Sequence, residues 1–211
     1  MALFALGIGG QGFTQIPPSS ASPCQAQVFE GDRFLICPFD PASQEFRLVD
    51  TNEAHEPLRS LSALKEALGE AARRVRFAMN AGMFDDHGRP IGLYVENGTV
   101  LHPLNTRSGL GNFYLKPNGV FSLDRSGRVR IETSEAWRLR HGRVLWASQS
   151  GPMLVIAGAL NPQIQSDGPS LHIRNGVGVL PKGQALFVIS EDAVLAKRLI
   201  SRSIGTDVRN G

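Results

Sequence analysis

"FAMNAGMFDDHGRPIGLYVENGTVL", Phe77 to Leu101, is the stretch on which the fold turns. An apolar run from Val75 to Met79 meets Asn80 and Gly82, and charged groups follow at once at Asp85, Asp86, His87 and Arg89. Alternation then resumes at Ile91, Leu93 and Val95. The pattern is a strand, a polar turn and a second strand, a common way for a rigid sheet to present reactive groups. The plain alternative is an ordinary connection rich in Gly and Asp.

The same texture extends outward. From Val75 to Ser190 the chain reads as short strands, punctuated by turns at Glu96–Thr99, Lys116–Gly119, Asp124–Arg128 and Ile156–Leu160. Upstream, "EFRLVD" (Glu45–Asp50) alternates like a half-buried strand. In "SLSALKEALGEAARR", Leu61, Leu64, Leu68 and Ala72 recur at helical spacing behind a Ser60 N-cap. "SEAWRLRH" (Ser134–His141) reads as a helical turn, and "DAVLAKRLISRS" (Asp192–Ser203) is again helix-like. Strands outnumber helices and do not alternate regularly with them. The expected class is therefore α+β, strand-rich, with a mixed or antiparallel central sheet and a few flanking helices.

At 211 residues the chain can build one well-cored domain. Its 42% hydrophobic and 19% charged residues describe a globular protein. Against 19 Asp and Glu stand 22 Lys and Arg, a net charge of only +3, and the cations are scattered. Nucleic-acid binding needs a cationic stripe with stacking aromatics, so that class is set aside.

"MALFALGIGGQGFTQIPPSSASP" opens with an apolar run of signal-segment length, followed by a Pro/Ser-rich stretch and the small residues Ser19-Ser20-Ala21. A basic start is missing, so residues 1–23 read as a signal segment or as a disordered tail. The run is too short and Gly-rich for a stable membrane span. Cys24 and Cys37 flank a strand–turn–strand with Glu30-Gly31-Asp32 at the turn, where their side chains could face each other within disulfide reach. A pair with no other cysteines, behind an export signal, favours an extracytoplasmic disulfide (periplasmic or secreted); two free thiols in a cytosolic protein are the alternative.

Several chemistries are excluded. "WASQSGP" has Trp146 where a nucleophile elbow needs its first Gly. There is no phosphate loop or dinucleotide fingerprint, and no cofactor is implied. His55, His87, His102, His141 and His172 are spread singly, so no metal site is expected. What remains is a series of polar clusters at strand ends, which carry Asn80, Asn105, Arg107, Gln149, Ser150, Arg174, Asn175 and Glu191. Converging strand ends would gather amides, two guanidiniums and a carboxylate in one place.

In order along the chain, "MNAGMF", "GLYVENG", "NTR", "GNFYLKPNGVF", "QSGPMLVI", "RNGVGV" and "FVIS" resemble the phosphodiester glycosidase family, in particular its shorter, exported bacterial members. The family takes its name from the enzyme that uncovers mannose 6-phosphate by removing N-acetylglucosamine. The resemblance runs from Cys24 to Glu191, which bounds the expected domain, and the cysteine pair also resembles the bacterial pattern. It implies hydrolysis of a sugar–phosphodiester bond at the sugar carbon, with a glycan or sugar phosphodiester as partner. Phosphate is already a good leaving group, so the reaction needs less acid help than ordinary glycoside hydrolysis. On this resemblance Arg107 and Arg174 grip phosphate, while Asn80, Asn105, Gln149, Ser150 and Asn175 bind the substrate, chiefly at sugar hydroxyls. Glu191 is the catalytic carboxylate by motif position, with Asp85 as runner-up.

After Glu191 the chain departs from the family, whose members continue through a helix to a last strand ending in Asp-Gly. Residues 192–211 are expected to be a divergent or truncated tail, so that a C-terminal strand is missing, leaving either an unpaired sheet edge beside Phe187–Ser190 or an open pocket wall. The alternative function is a non-catalytic glycan or sugar-phosphate binding protein. The sequence carries no signal of oligomeric state.

Overall fold

A computed structural model describes residues 3–7, 24–139, 143–164 and 171–195. The first half forms β1 (Leu3–Gly7), β2 (Gln25–Phe29), β3 (Asp32–Phe39), β4 (Glu45–Val49), α1 (Leu61–Leu68), β5 (Val75–Asn80), β6 (Tyr94–Glu96) and β7 (Thr99–His102). Then come β8 (Gly119–Asp124), β9 (Val129–Thr133), α2 (Ser134–Leu139), β10 (Val144–Ser150), β11 (Val155–Ile156), β12 (Ala159–Leu160), β13 (Asn175–Val179) and β14 (Ala185–Ser190). The fold is α+β, as the strand-rich pattern predicts. Its sheets run β4-β1-β5, β7-β6-β10-β8-β9 and β13-β14-β3-β2, with β11 and β12 as a separate ribbon. Every pairing of these strands is antiparallel.

Local chemistry explains the connections. Glu30-Gly31, Asn97-Gly98 and Ala157-Gly158 each close a two-residue hairpin with both residues at positive φ. That turn has the twist that matches right-handed strands. Ser60 caps α1 by accepting from the Ala63 backbone N–H at 3.0 Å. Gly69, at φ 51°, ends the helix, and Gly69–Arg74 tightens into a 3₁₀ segment instead of continuing it. Of the leucines at helical spacing Leu64 is buried, whereas Leu61 is half exposed.

The sheets share one aromatic core. Phe46 of β4 lies 5.7 Å from Phe39 of β3, 5.6 Å from Phe121 of β8 and 6.1 Å from Phe187 of β14, measured between ring centroids. Such pairs add about 0.5–1.5 kcal/mol each beyond their area burial. The disulfide Cys24–Cys37 is formed, and Cys37 is itself buried in this core.

Of the two outcomes expected at Phe187–Ser190, the unpaired edge is absent, because β14 pairs with β13 on one side and with β3 on the other. Within the N-terminal apolar run, β1 lies between β4 and β5, with Leu3 opposite both Val49 and Asn80. At the other end, Asp192–Leu195 is not helical, and Val194 pairs with His172 through hydrogen bonds of 2.9 and 3.3 Å. The rest of the helix expected there, from residue 196 on, lies outside the described residues, as do residues 1–2 and 8–23 of the N-terminal segment.

Candidate functional site

Gln149 of β10 is the hub of a buried polar network. Gln149 is 2% exposed, and its carboxamide is fully used. Its Oε1 accepts from the backbone N–H groups of Leu93 and Asn105, both at 2.9 Å. Its Nε2 donates to the Asn105 carbonyl at 2.7 Å and to Ser134 Oγ at 2.9 Å. One buried side chain thus ties the residue that leads into β6, the loop at Asn105 and the start of α2 to β10. Glycine is required beside it: a Cβ at Gly92 would meet Gln149 Oε1 at 2.5 Å.

Asp85 closes the polar turn itself. Its carboxylate accepts from the backbone N–H groups of His87 (2.9 Å) and Arg89 (3.0 Å), and from Arg89 Nε at 3.0 Å. The Arg89 backbone bond, with help from its guanidinium and the His87 N–H, pulls the Asp85 pKa down to about 2.

A groove of about 1160 Å³ opens where β9 and β13 approach each other, along the end of β5 and the β10–β11 connection. Asn80, Ser150, Arg174 and Asn175 line it together. Arg174 is anchored at its backbone N–H by Ser190 Oγ and at Nε by the Val194 carbonyl, both at 2.9 Å. Burial pushes its guanidinium pKa down. Arg130, Glu132 and Asn112 also line the groove, and sequence reasoning missed them. Asn112 sits inside the motif "GNFYLKPNGVF", but Arg130 and Glu132 sit in an unremarkable strand with no local signal.

The other candidates lie elsewhere. Gln149 and Asn105 are buried in the hub, where Asn105 Nδ2 also donates to the Ile91 carbonyl at 2.9 Å. Arg107 is exposed on the following loop and does not line the groove; Arg130 lines it beside Arg174, with its guanidinium paired to Asp124 at 3.1 Å. Glu191 is ion-paired with Arg33 outside the groove, and Asp85 is held in its turn. Among the described residues, the carboxylate that lines the groove is Glu132. Burial raises the carboxyl pKa values of Asp50 and Glu96, which meet through the Asp50 backbone N–H, but neither lines the groove. Among the described residues no group of three His, Cys, Asp or Glu side chains could hold a metal ion.

A model of the phosphodiester glycosidase family matches residues 73–203, more than half of the chain. The chain belongs to the phosphodiester glycosidase family. The match begins after α1 and passes beyond Glu191, so its bounds differ from those of the motif resemblance. It contains every groove residue named above. The chain is also 42% identical over 122 residues to a protein named "Uncharacterized protein YigE" from Escherichia coli (strain K12). That alignment covers 57% of this chain and 46% of the relative, so the chain spans about half the relative's length. No helix among the described residues is long and apolar enough to cross a membrane.

Proposed function

We propose that this phosphodiester glycosidase family member binds a glycosyl phosphodiester in the β9–β13 groove and hydrolyses it at the sugar carbon. One observation carries the reading: two arginines, Arg174 and the Asp124-paired Arg130, line one groove with Asn80, Asn112, Asn175, Ser150 and, as its carboxylate among the described residues, Glu132. In this reading the arginines hold the phosphate and offset the charge that develops on it as it leaves. The amides and hydroxyl orient the sugar. Glu132 stabilises the cationic sugar carbon or activates the attacking water. The Cys24–Cys37 disulfide supports folding in an oxidising, extracytoplasmic compartment.

A second reading, binding without turnover, is favoured by one fact: Glu191 and Asp85, the carboxylates offered by motif position, are engaged outside the groove. Incubation of the full chain with a panel of glycosyl methyl phosphodiesters separates the two. Release of reducing sugar in step with methyl phosphate, abolished in Glu132→Gln, supports hydrolysis. Saturable binding with no product supports the second reading, and neither binding nor product removes both.

A further inference from the structure

We propose that the groove accepts a phosphate-headed amphiphile, so that the arm leaving with phosphate is a hydrocarbon chain. The inference rests on the phosphodiester reading above and concerns what lies beyond the phosphate. Met79, Met83 and Met153, three of the chain's four methionines, line the groove, Met79 from within the core, where it is 4% exposed. Methionine is flexible and polarisable, and it suits a surface that must fit chains of varying shape. Gly119 lets one of them in: a Cβ there would stand 2.9 Å from Met153 Cγ. Apolar side chains remain open to solvent on the same surface, with Ile173 at 64% and Leu115 at 38% exposure.

At about 1160 Å³ the groove is also at or above the ~300–1000 Å³ of ordinary small-molecule sites, and so leaves room for an extended arm. The cations belong to the same surface: Arg174 adjoins Ile173 in sequence, and both line the groove. The reaction balances without a further reactant. Water adds to the anomeric carbon, the C–O bond to phosphate breaks, and the alkyl phosphate monoester departs.

The test is calorimetric titration of the full chain with inorganic phosphate and with butyl, octyl and dodecyl phosphate below their micellar concentrations. One ligand should bind per chain, with affinity rising about fourfold per buried methylene. Ile173→Asn should flatten that slope, and Arg174→Gln should weaken the whole series in parallel. Equal affinity across the series overturns the proposal, as does a slope that Ile173→Asn leaves unchanged with several ligands bound per chain. Turnover of a glycosyl methyl phosphodiester alongside a flat series would sink the chain-binding inference alone. A steep series without turnover of a glycosyl dodecyl phosphodiester would sink the hydrolase reading alone.

Discussion

A β-carbon at Gly82 would stand 2.8 Å from the backbone carbonyl oxygen of Gln149. Gly82 also has φ +75°, a conformation that side chains other than glycine rarely adopt. The polar turn after β5 and the buried hub on β10 are therefore in van der Waals contact. Gly82→Ala should cost about 1–3 kcal/mol from the backbone conformation alone, and more once the contact is included. Urea unfolding of the variant measures it, and wild-type stability would mean that the two strand ends can separate freely.

Gln149→Leu keeps the apolar bulk and removes four hydrogen bonds. The backbone N–H groups of Leu93 and Asn105 would then be buried without a partner, at about 1–3 kcal/mol each. The expected outcome is a large fall in the urea midpoint. A loss confined to ligand affinity at unchanged stability would place Gln149 in recognition instead of structure.

Asp85 should titrate with a midpoint near pH 2. Its folded pKa lies below the unfolded value, so its stabilising contribution is present above the unfolded pKa of about 3.9 and is lost as pH falls toward 2. NMR titration of the carboxyl carbon reads this directly. In Asp85→Asn the pH dependence of stability between about pH 4 and 2 should flatten. An Asp85 midpoint at or above 4 would contradict the hydrogen bonding of the turn.

How much of this was legible in the sequence differs from feature to feature. The hairpins were readable because Asn97-Gly98 and its counterparts carry their φ requirements locally. Ser60 was readable as a cap for the same reason, and the strand-rich texture gave the class. The roles of Asn105 and Gln149 were not readable: an amide at a strand end looks the same whether it meets solvent or four buried partners. Arg130 and Glu132 were missed because only the approach of β9 to β13, far apart in sequence, turns an ordinary strand into a groove wall. The position of β1 was hidden for a related reason, since apolar composition does not distinguish a leader from a strand between β4 and β5.

Opening the Cys24–Cys37 disulfide should cost about 3 kcal/mol, the loop-closure value for a span near its 13 residues. The Cys24→Ser/Cys37→Ser variant, unfolded in urea beside the parent chain, tests this. Thiol counting on the parent should find no free cysteine. Two reactive thiols in protein from an oxidising compartment would contradict the pairing.

Removing residues 1–23 withdraws β1 and opens the facing edges of β4 and β5. Such edges invite aggregation, and the shortened chain should melt lower and self-associate at micromolar concentration. An equally stable monomer would mean that the β4–β5 gap closes without β1.

The central claim is that water attacks the sugar carbon while Arg174 holds the phosphate. Turnover of a glycosyl methyl phosphodiester in ¹⁸O-labelled water tests it most directly. The account predicts methyl phosphate free of label and ¹⁸O at the anomeric position. It also predicts that Arg174→Lys, which loses the planar fork, weakens binding by roughly tenfold or more. Label in the phosphate product, or no product from a fully bound substrate, would contradict it.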